Sequence, residues 1–277
     1  MTNIKTVTLP VLDRYEMKFV IPEYLIDEIS DFISPYCSLD RYSKDSEDTY
    51  YSVNNLYFDS PYFLFLRNRM IGCGNRFNLR VRSYSNAPQL PYFLEIKQKK
   101  INIVRKFRGR VYERNWYEML VDWDFQSKHQ PNTGEKKNIE LFQKLAHIYN
   151  AEPKVLTQYR RKAFVSDYDE YARVTFDIDL RYMKEDTFNL VPEEKKMISY
   201  DISTNYDPEC NVILELKCYA SFVPLWMVDL IRKFDLKRRS FSKYATGVRE
   251  VIDCYKLDIL DKEPSIPPMH YNNFYRE

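Results

Sequence analysis

VILELKCY, residues 212–219, is the stretch whose reading decides the fold. Side chains alternate across a strand, so Val212, Leu214 and Leu216 share one face and Ile213, Glu215 and Lys217 the other. The stretch is too apolar for a solvated loop, yet it sets a carboxylate beside an ammonium on one face. YFLEIKQK, residues 92–99, repeats the arrangement with Glu95 and Lys97. Three more strands follow suit. Arg14, Glu16 and Lys18 share a face of RYEMKF, Arg80 and Arg82 a face of NLRVR, and Arg173, Thr175, Asp177 and Asp179 a face of RVTFDIDL.

A sheet with one wet side would carry a mixture of Thr, Ser, Gln, Lys and Glu there. These strands instead carry Arg-x-Arg and Glu-x-Lys, and like charges side by side destabilise a sheet unless something anionic lies between them. Closing the sheet resolves the conflict. Its apolar face turns outward beneath helices and its charged face lines a lumen suited to a polyanion. The expected fold is α+β, a sheet closed into a barrel with a charged lumen and helices packed outside. Arginine forks match phosphate oxygens, and lysine adds point charge. A carboxylate among them suits Mg²⁺ or Mn²⁺, which bridges carboxylate and phosphate.

Composition narrows the class. The 277 residues are 44% hydrophobic and 30% charged, a soluble balance with ample material for a core. One domain over residues 1–261 is expected, then a Pro-rich, aperiodic tail over 262–277. No apolar run reaches membrane-span length, and MTNIKTVTLP lacks the layout of a signal peptide, so a cytoplasmic location is expected. Five cysteines and three histidines are scattered, with no CxxC or HExxH, which points to reduced structural thiols rather than zinc. Net charge is only +2, against nucleic acid as a partner. With five glycines there is no GxxxxGK[ST] loop, and no GxSxG elbow is present.

The periodicity predicts strands at 14–21, 52–59, 77–84, 92–99, 104–112, 155–166, 172–182 and 212–219. Helices are expected from Pro22, over 61–70 with Ser60 as cap, around 114–122, over 138–149, from Pro224, and over 240–257. Residues 183–208 show no clear pattern. A strand with arginine on one face precedes an EIK or ELK strand in each half, a weak internal pseudo-repeat.

RYEMK, LRVRSY, YFLEIKQK, QYRRKAF, RVTFD, ILELK and SFSKYATGV stand in the order seen in VTC-type polyphosphate polymerase domains, and the chain resembles that family over roughly residues 12–255. The resemblance implies membership of the triphosphate tunnel metalloenzymes and, with it, a closed antiparallel eight-stranded β tunnel with a charged lumen and helices packed outside. It implies transfer of the γ-phosphoryl group of ATP to a growing polyphosphate chain with Mn²⁺ or Mg²⁺. Carried over by position, the catalytic cations would be Lys18, Arg80, Arg82, Lys97, Arg161, Arg173 and Lys217. Tyr159, Lys106, Arg108, Ser242 and Lys243 would bind substrate, and Glu215 would bind the metal. Tyrosine-x-arginine spacing selects Arg161, with Arg160 and Lys162 as alternatives. Among Lys106, Arg108 and Arg110, the first two are favoured.

Tunnel triphosphatases and cyclases, the nearest rivals, tend to open with ExExK. Here Arg14 stands where the first glutamate would be, which favours polymerase. A non-catalytic polyphosphate-binding module is a rival from another class, and single-stranded nucleic acid binding a third. Trp226, Leu225 and Leu230 read as a helix packing face, and Trp116 and Trp123 as core or partner contacts. Lys233, Lys237, Arg238 and Arg239 read as a solvated helix end rather than a patch that draws in polymer. No membrane span is legible, so any translocation of product would fall to a separate membrane protein. The sequence carries no signal of oligomeric state.

Overall fold

The structure is a computed structural model that describes residues 14–85, 89–100, 103–122, 125, 132–200, 211–239 and 241–254. Eight antiparallel strands close on themselves. In spatial order they are β7 (Glu152–Ser166), β3 (Tyr51–Asp59), β4 (Asn75–Tyr84), β5 (Gln89–Lys100), β6 (Ile103–Val111), β1 (Arg14–Ile21), β10 (Val212–Tyr219) and β8 (Ala172–Lys184). Pairing of β8 with β7 completes the ring. Two short strands extend it: β2 (Cys37–Leu39) on β7 and β9 (Ile198–Ser199) on β8. The seam between β1 and β6 is narrow: they pair at Arg14 with Val104, and farther along β1 Phe19 forms an isolated bridge with Arg238.

The apolar strand faces turn outward under helices. Met17, Phe19, Val174, Phe176, Leu214 and Leu216 pack against Ile26, Ile29 and Ile33 of α1 (Leu25–Ile33). Trp226, Met227 and Leu230 of α6 (Leu225–Lys233) join the same cluster. On the far side Leu56, Phe58, Leu79, Val81, Leu94 and Ile96 meet α5 (Thr133–Ile148) through Phe142, Leu145 and Ala146. Met119 and Leu120 of α4 (Glu118–Val121) add to that layer. Apolar residues spaced three and four apart give each longer helix its buried stripe.

Several elements differ from expectation for local reasons. The first helix starts at Leu25, after a turn in which Ile26 N–H bonds the Glu23 carbonyl. The helix expected from Pro61 begins three residues later as α3 (Leu64–Met70). Ser60 still contributes, because its Oγ accepts from Leu64 N, and Asp59 accepts from Phe65 and Leu66 N. Helix α5 starts at Thr133, inside a segment expected to be a loop, because Asn132 caps Glu135 N. The 114–122 helix shrinks to the single turn of α4. The one-turn α2 (Arg41–Lys44) and β2 had no signal in the periodicity. Leu225 is 79% exposed, so the packing face it was placed on rests on Trp226 and Leu230. Trp116 is buried. Trp123 and the 262–277 tail lie outside the described residues.

One irregularity resets a face. In β8, Asp179 takes φ +50° where the pairing with β7 shifts, a bulge that reverses the alternation. Asp179 is thereby aimed outward at Arg160, not along the face of Asp177 as alternation predicted. Leu180 and Tyr182 turn toward the interior and meet α7 (Lys243–Cys254). Helix α7 plugs that end of the barrel, with Tyr244, Val248 and Ile252 packed on Tyr57, Val155 and Tyr159.

Candidate functional site

Among the described residues, the inward faces converge on a cavity of about 910 Å³, lined by sixteen Lys and Arg side chains and by the carboxylates of Glu16, Asp40 and Glu215. It is lined by every residue to which the resemblance gives a catalytic, substrate-binding or metal-binding role: Lys18, Arg80, Arg82, Lys97, Lys106, Arg108, Tyr159, Arg161, Arg173, Glu215, Lys217, Ser242 and Lys243. The bulk charge of +2 does not reveal this concentration of cations. The alternative inward candidates resolve. Arg160 pairs with Asp48 and Asp179 outside, Lys162 lies over Phe164, and Arg110 binds Glu135 of α5.

Each group of cations is organised around a carboxylate. Glu95 on β5 is fully buried, and strand register sets it between Arg80 of β4 and Arg108 of β6. Its Oε2 lies 2.6 Å from Arg80, and its Oε1 lies 2.6 Å from Lys106 and 2.5 Å from Arg108. Arg82 Nε stands 3.8 Å away and donates instead to Asn55 Oδ1 at 2.9 Å. Burial works against the Glu95 carboxylate, but Arg82, Arg80, Lys106 and Arg108 together hold it well below the usual carboxylate range. One carboxylate cannot neutralise four cations. Burial, only partly offset by Glu95, and repulsion from Arg82, Arg108 and Arg80 push the Lys106 ammonium well below the usual lysine range.

The second group spans β1, β7, β8, β10 and α7. Glu215 accepts from Lys217 at 2.6 Å and from Lys18 at 3.0 Å, with Arg161 at 3.7 Å and Lys243 at 3.8 Å. Asp177 takes Arg161 as a two-pronged partner at 2.6 and 2.8 Å, and Lys243 at 2.6 Å. Glu16 takes Lys97 at 2.6 Å. Burial would raise the Glu215 carboxyl, but Lys18, Lys217, Lys243 and Arg161 hold it far down. Burial likewise opposes ionisation of Tyr159, yet Arg161 and Arg82 bring its phenol down to about 8. At the open end Arg14 and Arg173 lie over the Tyr171 ring, at 4.4 and 5.9 Å.

Glu95, Asp177 and Glu16 were read on charged faces but given no role; the structure makes them the resident counter-ions of the lumen. For Glu95 and Glu16 the repeated Glu-x-Lys parity was the signal, and for Asp177 the face it shares with Arg173. Arg238 and Arg239 also differ from expectation. They line the cavity rather than capping a solvated helix end, because Arg239 N–H bonds the Lys18 carbonyl at 3.0 Å and Arg238 bonds Tyr15 Oη at 2.6 Å.

A divalent ion is tested by the donors. Among the described residues there is no cluster of three or more His, Cys, Asp or Glu side chains that could cage a metal. Glu215 and Glu16 are hard oxygen donors, and the charge of Glu215 is felt at Glu16. Thr175, paired in register with Glu215, buries a hydroxyl oxygen with no partner among the described residues. Carboxylates with an orphaned oxygen suit an ion that keeps few protein ligands and takes the rest from phosphate and water.

A closed antiparallel eight-stranded barrel with a cation-lined lumen and few carboxylates is a tunnel suited to a polyanion. The chain matches the model of the VTC domain family over residues 13–252 and belongs to that family. No curated protein sequence matches it. Similar solved structures include a candidate adenylate cyclase from Bacillus halodurans, at 10% identity and a TM-score of 0.46, covering 83% of this chain and 95% of the other. Another is a candidate adenylyl cyclase from Hippeastrum described as revealing a dominant triphosphatase activity, at 13% identity and a TM-score of 0.43, covering 86% of this chain and 96% of that one. A Pyrococcus horikoshii protein stands at 10% identity and 0.44, with coverage of 86% and 99%. No helix among the described residues is long and apolar enough to cross a membrane.

Proposed function

We propose that this protein is a metal-dependent polyphosphate polymerase, which transfers the γ-phosphoryl group of ATP to the end of an inorganic polyphosphate chain. The observation that carries the reading is the excess of lumenal cations over carboxylates, a linear trap for a string of phosphates. Arg80, Arg82, Lys106 and Arg108 would hold one part of that string. Lys18, Lys97, Arg161, Arg173, Lys217 and Lys243 would hold the rest, with Tyr159 and Ser242 donating from the wall. Glu215, aided by Glu16, would hold Mn²⁺ or Mg²⁺. Such an ion, when bound, neutralises charge on the reacting phosphate and its leaving group.

The step itself is in balance without a protein base. A terminal oxygen of the polymer, already ionised, forms a bond to the γ-phosphorus; the bond from that phosphorus to the β-bridging oxygen breaks, and ADP leaves. Positioning and charge are what the protein contributes. Among the described residues no histidine lines the cavity. Arg14 in place of a second carboxylate on β1 favours a phosphate acceptor over water.

The test is incubation with ATP and Mn²⁺, gel staining for polyphosphate and a parallel orthophosphate assay. A ladder is expected from the wild-type protein and none from Glu215→Ala. Orthophosphate without a ladder would make the protein a triphosphatase, and retained polyphosphate binding with neither product would make it a receptor.

A further inference from the structure

The two sides of the open mouth differ in chemistry. Arg14 and Arg173 line one side. The other carries three tyrosines and a carboxylate. Tyr51 opens β3 and Tyr84 closes β4, so both stand at the end of the barrel away from α7. Tyr42 of α2 stacks on Tyr84, with ring centroids 5.3 Å apart and planes 15° apart, and tilts against Tyr51 at 5.4 Å. All three line the cavity, as does Asp40.

The strap that presents Tyr42 is rigid. Asp40 N–H bonds the Ala163 carbonyl at 2.8 Å, and the buried Ser43 hydroxyl accepts from Ala163 N at 2.9 Å. Asp40 Oδ1 caps Ser43 N at 2.8 Å, and Asp40 is one of the residues that line the cavity. Tyr42 nevertheless remains 50% exposed, so a pinned backbone holds a large ring half in solvent. A phosphate chain would be repelled by Asp40 along this wall. A flat, uncharged heterocycle with amino or hydroxyl donors would gain both from the rings and from the carboxylate.

We propose that Tyr42, Tyr51, Tyr84 and Asp40 form a nucleoside subsite: the base stacks on the Tyr42–Tyr84 pair, and its donors or the ribose hydroxyls bond to Asp40. The triphosphate of the same molecule then runs inward toward Arg82, Arg108 and Arg161. This rests on the reading of the lumen as a nucleoside triphosphate site, and it assigns the part of the donor that the cations do not recognise. Stacking tolerates any base, so discrimination among nucleotides is expected to be weak and to favour purines.

The experiment is titration calorimetry without divalent metal. It compares ATP with methyl triphosphate, an ester of equal charge without the nucleoside, on wild type, Tyr42→Ala and Tyr42→Phe. Tyr42 belongs to the strap and not to the barrel, so folding is expected to survive its truncation. In Tyr42→Ala the affinity for ATP is expected to fall about fivefold to a hundredfold, the range for loss of one base–aromatic stack. Methyl triphosphate should bind unchanged, and Tyr42→Phe should match wild type. An unchanged affinity for ATP, or equal losses for both ligands, would overturn the subsite. So would a wild-type chain that binds methyl triphosphate as tightly as ATP. A chain that binds neither ligand overturns the subsite and the nucleotide reading together. A chain that makes no polyphosphate yet shows the selective loss keeps the subsite and loses only the polymerase.

Discussion

Glu95 shows what a single side chain does in a cation-rich interior. Replacing it with glutamine keeps the shape and removes the charge, leaving Arg80, Arg82, Lys106 and Arg108 facing one another around a neutral amide. Removing one partner of a buried ion cluster costs about 3–5 kcal/mol. Glu95→Gln should therefore unfold at markedly lower urea, and added tripolyphosphate should restore more stability to it than to wild type. Equal recovery would mean that the cations do not share the ligand. Glu16 supplies a pH signature. Burial would raise its carboxyl, but Lys97 and then Lys217 pull it down to about 2 from an ordinary 4.5. A depressed carboxylate contributes stability that is complete above its unfolded value and lost as pH falls through the folded one. Wild type should thus lose stability between about pH 4.5 and 2 more steeply than Glu16→Gln, measured by denaturation midpoints across that range. The individual charges were legible because alternation fixes which face a residue joins. What alternation could not convey is that Arg161 and Lys243, from different elements, share Asp177.

At the scale of elements, the contact of α5 with β6 turns on one missing side chain. A Cβ at Gly109 would lie 2.4 Å from Ile139 Cγ1 and 3.2 Å from the Glu135 carbonyl oxygen. Gly109→Ala must push the helix off the strand that carries Lys106 and Arg108, and overpacking of this kind costs about 1–3 kcal/mol. Its denaturation midpoint should fall accordingly, and Gly134→Ala, with only Asn132 Oδ1 at 3.5 Å, should be near neutral. The eight long strands were readable because each has a strong two-residue period. The bulge at Asp179 was not, since a reversal of parity in IDLRY leaves a pattern that still looks like a strand. Nor were β2 and α2, which are too short for any period to register; side-chain and main-chain bonds to Ala163 hold α2 against β7. Asn132 as a cap is a local signal that can be read in NTGE, where glutamate stands three residues on.

For the molecule as a whole, closure was inferable only indirectly, from like charges that an open sheet could not tolerate. The partners were not: β1 at residues 14–21 is joined to β10 at residues 212–219, a pairing nothing local announces. An eight-stranded barrel has room inside for side chains and a slim ligand. Duplex DNA, though rich in phosphate, cannot reach these cations. Labelled polyphosphate should therefore be displaced by unlabelled polyphosphate but not by duplex DNA at equal phosphate concentration, and its affinity should fall as salt rises. Displacement by the duplex would mean that the binding surface lies outside. The lumen also has a property that follows from Glu95, Asp177, Glu16 and Glu215 being part of the chain. It behaves as an ion-exchange column whose starting counter-ions are tethered to the resin. The barrel can fold and persist with its cations already paired, and on the polymerase reading each incoming phosphate would trade places with a carboxylate instead of filling a bare charge. The carboxylate would stay within reach to reclaim its cation, so release would be assisted at every step along the bore, as a sliding polymer requires.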